Sequence, residues 1–306
     1  MRFDRAAQGW VQRMCGPGST VVSFERLVGG LSSTVHGITV ETRTGPQSLV
    51  LRRIDPAENP EAEAEIVAEH RILSAFEHRL VPRLLASDPT GDDCGYPASI
   101  QTRLPGRPTL SPTDVDRWIR GLAEAIHTVR NANAKIDAAI LDLLPHFQPW
   151  LPVGSAPPRW SRYPSEWSEA RTRVEARWPG DVAPSTHGSS NVGLVHRDLH
   201  PANVLFNHGE ITGIVDWTNA SVGPVEVDIS RCRVQTAMLV GHASAKDLLR
   251  RCNSICESYD PIWDAMVALE ISPWLNDIAM AVRALGTFVR VDSLRRALDA
   301  IVVASL

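Results

Sequence analysis

The chain has 306 residues, 43% apolar and 22% charged, with a net charge of −4 and five cysteines. That length allows one large domain or two lobes, and the balance is that of a globular chain. It excludes a broadly basic nucleic-acid-binding surface, and five cysteines in so long a chain make no disulfide framework. The start, MRFDRAAQGWVQRM, does not read as a secretory signal, and no run approaches eighteen uninterrupted apolar residues. The expectation is a cytoplasmic chain without a membrane span.

In chain order, TVVSFERLV (20–28), TVHGITVET (34–42) and SLVLRRI (48–54) are rich in β-branched residues, with GGLSST and RTGPQ between them. They predict an antiparallel meander with a Gly-rich first turn. Asn59 and Pro60 then suit the start of a helix, with Glu61 and Glu63 near the positive end of its dipole. Ile66, Leu73, Phe76 and Leu80 supply its apolar face. Extended pieces follow around 83–88 and 96–104, before LPGRP (104–108) breaks the pattern.

Beyond that the chain reads as mostly helical. Ser111 and Pro112 open a helix whose Val115, Trp118, Ile119, Leu122, Ile126 and Val129 keep helical spacing. A Pro- and Trp-rich stretch (144–167) reads as an irregular insertion, with a helix near 165–178. Asp260–Pro261 and Ser272–Pro273 repeat the cap-then-proline start, and a last helix begins at about Asp292. Cys252 and Cys256, at helical spacing without a second pair, read as reduced and buried. The fold class expected is α+β and bilobal. Residues 1–103 form a small antiparallel β lobe with one helix, and 104–306 a larger, mainly helical lobe.

The chemistry concentrates in LVHRDLHPANVLF (194–206). Phosphoryl transfer needs a base for a hydroxyl, metal ions for the phosphates, and an in-line triphosphate. The kinase catalytic loop H-R-D-L-x-x-x-N supplies a base Asp and, five residues on, a metal-binding Asn. His196, Arg197, Asp198, Leu199 and Asn203 match it at every specified position. VLFNHGEITGIVDW (204–217) then reads as a strand, a turn and a returning strand ending at Asp216. That return is expected to set Asp216 beside Asn203, and two oxygen donors suit Mg²⁺. A zinc site at His196 and His200 is disfavoured, because Pro201 opposes helix at His200 and no Glu follows His196. A merely polar surface loop would not predict the hairpin or its terminal carboxylate.

The blocks VHRDLHPANVLF, GIVDWTNASVGPVEVDIS, VGGLSSTVHGITV and LVLRRI resemble the aminoglycoside phosphotransferase and choline kinase-like superfamily. The resemblance implies a protein-kinase-like fold and ATP-dependent phosphorylation of a small-molecule hydroxyl. It implies Asp198 as catalytic base and Asn203 and Asp216 as Mg²⁺ ligands. Asp228 resembles a carboxylate that buttresses the catalytic loop; an ordinary helix N-cap is the equal alternative. Trp217 follows Asp216, so there is no D-F-G, and no A-P-E occurs; both absences argue against a regulated protein kinase. Arg197 stands where many aminoglycoside enzymes carry Gly.

On the nucleotide side, strand alternation puts Val50 and Arg52 on one face and Leu49 and Leu51 on the other. Val50 then resembles the residue on the adenine and Arg52 the cation on the phosphates, although an arginine fork replaces a lysine point charge. Arg53 is expected on the core-facing side. Glu69, at helical spacing from Ile66 and Leu73, is the expected partner of Arg52, with Glu65 second. Gly29, Gly30, Ser32 and Ser33 form the expected flap, the last two offering backbone N–H groups to phosphate. His127 also resembles a family position, but a packed, hydrogen-bonded histidine is the favoured reading.

The carboxylates between Ser254 and Met280 are Glu257, Asp260, Asp264, Glu270 and Asp277, with no Lys or Arg among them. A one-signed cleft would attract a cationic acceptor, an aminosugar or amino alcohol. Trp150, Trp160, Trp167 and Trp178 suit stacking on a sugar and suit packing equally. The expectation is therefore an ATP- and Mg²⁺-dependent phosphotransferase acting on a small-molecule hydroxyl, with cationic aminoglycoside-like antibiotics as one acceptor class. A housekeeping kinase of an amino alcohol or sugar, and a nucleotide-binding regulatory module without turnover, are the alternatives. Neither nucleic acid nor membrane is an expected partner, and the oligomeric state stays open.

Overall fold

The computed structural model describes residues 3–28, 33–151, 156–178 and 192–306. It divides into two compact units, Met1–Gly106 with Thr212–Asn219, and Arg107–Ile211 with Ala220–Leu306. A boundary at 103–104 does not anticipate the return of 212–219 to the first unit.

The first unit opens with helix α1 (Arg5–Met14), which sequence reading left without an element. Strands β1 (Thr20–Arg26), β2 (Thr34–Thr42), β3 (Gly45–Arg53), β4 (Leu84–Asp88) and β5 (Ala98–Thr102) form an antiparallel sheet in the order β1-β2-β3-β5-β4. Leu49 and Leu51 point to one face of β3 and pack with Ile38, Val40 and Ile100 against Trp10 and Val11 of α1. That is the period-2 alternation predicted for this strand. Arg53 shares this face and is fully buried; its Nη1 donates to Asp4 Oδ2 at 3.1 Å. Asp4 also caps α1 by accepting the Ala7 N–H at 2.9 Å. One carboxylate therefore ties the helix start to the sheet.

Helix α2 runs Ala62–Ala75, beginning after Pro60 rather than at it. Asn59 does not cap the helix but accepts the Glu61 N–H at 3.0 Å and donates to Glu65 at 2.8 Å. The returning segment is anchored in the same unit. The Ile214 N–H donates to the Leu80 carbonyl at 2.6 Å, and buried Trp217 meets Phe76 edge-on at 5.5 Å.

The second unit is mainly helical. It holds β6 (Arg107–Pro108), α3 (Val115–Ala132), α4 (Ala138–Leu141), α5 (Pro164–Arg177), β7 (Val192–Val195), β8 (Val204–Asn207) and the start of β9 (Glu210–Ile214). It continues with β10 (Ser221–Pro224), α6 (Glu226–Val240), α7 (His242–Arg251), α8 (Ile262–Ile271), α9 (Leu275–Ala284) and α10 (Val291–Ala304). Helix α3 starts later than Ser111–Pro112 suggests, because Asp114 takes the cap and accepts the Arg117 N–H. Every residue of α8 is buried, as in a helix surrounded by protein. Ile262–Ala284 is, by length and composition, apolar enough to cross a membrane, a run the sequence reading did not anticipate. It is 56% buried here and is interrupted by a short 3-10 turn at Ser272–Trp274. Trp160, Trp167 and Trp178 go to this core, and Trp150 stays half-exposed. Cys252 and Cys256 are free, buried thiols, pushed up to about 12 and about 11 by burial.

Candidate active site

In the first unit the site residues gather around Arg52. Its side chain is 5% exposed. Nη2 lies 3.3 Å from Glu65 Oε2 and 3.6 Å from Asp216 Oδ1, and Nη1 lies 3.6 Å from Glu69 Oε1. Nε donates to Ser33 Oγ at 3.1 Å. Glu69 is buried and accepts from Ser99 Oγ at 2.5 Å and Gln101 Nε2 at 3.3 Å. The expected order of partners is thus modified, because Glu65 makes the hydrogen bond and Glu69 the longer ion pair. The three carboxylates outweigh the burial that opposes the charge and raise the Arg52 guanidinium above its ordinary value. Val50 lies on the Arg52 face of β3, half-buried. Ser33 contributes its hydroxyl to Arg52, a role the sequence did not suggest. Gly29, Gly30 and Ser32 lie outside the described residues.

Asp216 adopts φ +69°, a left-handed conformation that short polar side chains tolerate. Its Oδ1 accepts from Thr218 Oγ1 at 3.0 Å.

In the second unit β7 and β10 pair antiparallel and aim the catalytic loop. Asn133 at the end of α3 accepts the Leu194 N–H and fixes the strand from the side. Beyond Val195 the backbone leaves the ladder. The N–H groups of His196 and Arg197 donate to Asp228 Oδ2 and Oδ1 at 2.9 and 2.8 Å. Asp228 therefore holds the loop; the cap position of α6 belongs to Val225. Burial pushes the Asp228 carboxyl up to about 7, against the two N–H bonds that favour its charge.

Asp198 and Asn203 come together as the motif implies. Asn203 Nδ2 donates to the Asp198 carbonyl at 3.0 Å and stands 3.5 Å from Oδ2. His200 caps the short 3-10 turn Pro201–Asn203 by accepting the Ala202 N–H at Nδ1. Its Nε2 is 3.5 Å from Asp198 Oδ2. Burial alone would raise the Asp198 carboxyl. His200 first, then Arg231 and His196, outweigh it and hold the group well below the ordinary carboxylate range. Two short strands, β8 paired with β9, follow the turn.

Three residues absent from the motif complete this cluster. Arg231 Nε is 3.7 Å from Asp198 Oδ1, and its Nη2 donates to Glu270 Oε2 at 2.7 Å. Trp150 donates its backbone N–H to Glu270 Oε1 at 2.7 Å. Its ring covers the Arg197 guanidinium at 3.6 Å. Arg197, at φ +69°, also donates to the Gln148 carbonyl. The one signal in the sequence was spacing, since Arg231 lies three residues after Asp228 on the same face of α6. His127 is bonded to the Arg251 carbonyl at 3.0 Å, the packed role expected of it. Of the five carboxylates between 254 and 280, Glu270 is taken by Arg231. Asp264 is taken by Arg233 at 3.2 Å and by the Tyr259 hydroxyl.

Among the described residues no three His, Cys, Asp or Glu side chains cluster as a metal site. Mg²⁺ does not require one, because water and phosphate oxygens complete its shell around one or two protein oxygens. The Asn203 amide turns its nitrogen to Asp198, leaving its oxygen as the donor atom, and Asp216 offers a half-exposed carboxylate. Each, taken in its own unit, is a hard oxygen ligand of the kind Mg²⁺ takes.

A two-unit α+β chain with this loop defines a phosphotransferase. The family model described as phosphotransferase enzyme family matches residues 24–266, and the chain belongs to that family. Among solved structures, a thermostable mutant of aminoglycoside phosphotransferase APH(4)-Ia in a ternary complex with ADP and hygromycin B is similar at a TM-score of 0.57. Its sequence is 16% identical, over 95% of this chain and 98% of that one. Macrolide 2'-phosphotransferase MphH from Brachybacterium faecium is similar at 0.54, with 19% identity over 93% and 94%. They share the bilobal, protein-kinase-like fold. Homoserine kinase from Methylocella silvestris is 36% identical over 59 residues, which cover 19% of this chain and 16% of that relative's length.

Proposed function

We propose that the chain transfers the terminal phosphoryl group of ATP, with Mg²⁺, to a hydroxyl of a small molecule. The observation that carries this is the Asp198–Asn203 pair, on a loop whose backbone is held by Asp228. Asp198 accepts the hydroxyl proton as its oxygen attacks; ionised and directed, it meets the requirement for a base. Asn203 and Asp216 are the proposed Mg²⁺ ligands. The ion, when bound, neutralises charge on the phosphates. Arg52, held by Glu65 and Glu69, is the proposed phosphate contact, with Val50 beneath the adenine and Ser33 bonded to Arg52.

For the acceptor we favour a cationic compound of the aminoglycoside kind. Glu257, Asp260 and Asp277 remain as the carboxylates of the acidic stretch without an ion pair described above, and hygromycin B occupies the similar APH(4)-Ia structure. The match to a homoserine kinase favours a second reading, a metabolic kinase of an amino alcohol. The test is ADP release with Mg·ATP across aminoglycosides, macrolides, amino alcohols and sugars. Turnover with one class fixes the acceptor. Nucleotide binding without turnover on any of them would leave a regulatory module and overturn the proposal.

A further inference from the structure

The carboxylate of the catalytic loop has a neighbour that the loop motif does not contain. Helix α6 presents Asp228 and Arg231 on one face, three residues apart. Asp228 takes the loop's N–H groups, and Arg231 directs Nε toward Asp198 Oδ1 from 3.7 Å. The same guanidinium is bonded through Nη2 to Glu270 at only 2.7 Å. Glu270 is fixed in turn by the Trp150 N–H. The Arg231 and Glu270 side chains are 5% and 2% exposed.

The difference of an ångström between the two contacts is the point of the arrangement. A base needs a free lone pair for the incoming proton while its charge and direction are held. An arginine free to close on a carboxylate forms two parallel hydrogen bonds and occupies both oxygens. Glu270 prevents that by claiming the guanidinium first, so Arg231 attracts Asp198 without blocking it. Burying such a pair carries a desolvation cost that apolar residues of equal volume avoid. Its position against the reacting carboxylate gives the cost a use.

We propose that Arg231, restrained by Glu270, is a positioning residue for Asp198, setting the direction of the carboxylate without consuming its lone pair. This rests on the phosphotransferase reading above. The seating of Trp150 on Glu270, with its ring 5.4 Å from Arg231, couples the 145–151 segment to the same pair.

The experiment uses the full chain with Arg231→Gln, Arg231→Lys and Glu270→Gln, and Arg231→Gln again on an Asp198→Asn background. ADP release is measured at varied ATP, with melting curves in the presence and absence of Mg·ATP. Arg231→Gln lowers kcat by about 10- to 100-fold, the scale of a misplaced reacting group. The KM for ATP stays within about twofold, because the interaction lost belongs to the transferring step. Arg231→Lys recovers part of the rate. Glu270→Gln, isosteric and still able to accept the Trp150 N–H, also lowers kcat by roughly 10-fold as the guanidinium closes on Asp198. On the Asp198→Asn background Arg231→Gln adds nothing, as for residues acting as a unit.

Losses that multiply on that background overturn the proposal. So does an ATP KM that rises as kcat falls, or an Arg231→Lys variant no better than Arg231→Gln. A wild-type chain that gains no stability from Mg·ATP and releases no ADP overturns the phosphotransferase reading itself, and this role with it.

Discussion

Arg52 in the first unit faces three carboxylates, Glu65, Glu69 and Asp216, at 3.3, 3.6 and 3.6 Å. Arg231 in the second faces two, Glu270 at 2.7 Å and Asp198 at 3.7 Å. Both guanidiniums are buried, so both need negative partners. The distances divide them by task. Arg52 is divided among three carboxylates and the Ser33 hydroxyl, the nearest of these contacts at 3.1 Å. Arg231 is committed to one short contact, which suits a group that must not move. Burial and charge alone would not distinguish the two arginines; the distribution of distances does.

The largest effect tests what the second cluster surrounds. Asp198→Asn should lower kcat by about 10²- to 10⁴-fold, the range for losing a general base. The thermal shift given by Mg·ATP should persist, because the proposed adenine, phosphate and Mg²⁺ contacts are Val50, Arg52, Asn203 and Asp216 rather than Asp198. A variant that keeps a tenth of the wild-type rate would remove Asp198 from the chemistry.

Arg52→Met comes next and should act on the opposite parameter. Losing a charged contact to phosphate should weaken Mg·ATP binding by roughly 10- to 100-fold, from about 1.5–3 kcal/mol. It should also destabilise the chain by about 3 kcal/mol, since Glu69 stays buried beside a missing cation. Arg52→Lys should bind ATP better than Arg52→Met, yet lose the bond from Nε to Ser33. Equal binding by all three chains would end the phosphate role and erase the contrast with Arg231.

The two clusters also differ in how far the sequence revealed them. Alternation along Leu49–Arg53 separated Arg52 from Arg53, and helical spacing brought out Glu65 and Glu69; both are local periodicities. The loop from His196 to Asn203 was legible for the same reason, being contiguous. Helix α1 was not, since the sequence shows no partner for Trp10 and Val11 until the sheet supplies Leu49 and Leu51. Nor was the set of Arg231, Glu270 and Trp150, whose members meet only through the packing of α6, α8 and the segment before residue 152. Of the acidic stretch, sequence saw one sign of charge; structure gave Glu270 and Asp264 their arginines.

A smaller effect separates stability from chemistry in the first unit. Asp4→Ala removes the cap of α1 and one ion pair of Arg53, and should cost about 1–2 kcal/mol with kcat unchanged. Asp4 is 46% exposed, so solvent screens the ionic share and the cap bond makes the remainder. Burial opposes the charge, but the Ala7 N–H and Arg53 outweigh it and lower the Asp4 carboxyl. A carboxyl depressed on folding stabilises above its unfolded value and loses that contribution as pH falls through the folded one. The difference in melting temperature between the two chains should therefore be full at neutral pH and shrink below about pH 4. A difference that grew in acid would reverse the sign and discard the ion pair.

The smallest expected effect concerns a feature the two units share. Arg197 and Asp216 both hold φ at +69°. Asp tolerates this conformation; for a long side chain it costs about 1–2 kcal/mol. Arg197 offsets the cost through its bond to the Gln148 carbonyl and its stacking on Trp150 at 3.6 Å and Phe147 at 4.6 Å. Truncation therefore has two terms that glycine and alanine divide differently. Arg197→Ala loses the contacts and keeps the strain, whereas Arg197→Gly loses the contacts and relieves it. Glycine should come out about 1 kcal/mol more stable than alanine, the reverse of its usual standing inside regular structure. Paired denaturation curves measure this directly. Alanine equal to or above glycine would mean that the loop relaxes away from φ +69° once the guanidinium is gone, so that Trp150 and Gln148, rather than the Asp228 bonds, hold the backbone in place.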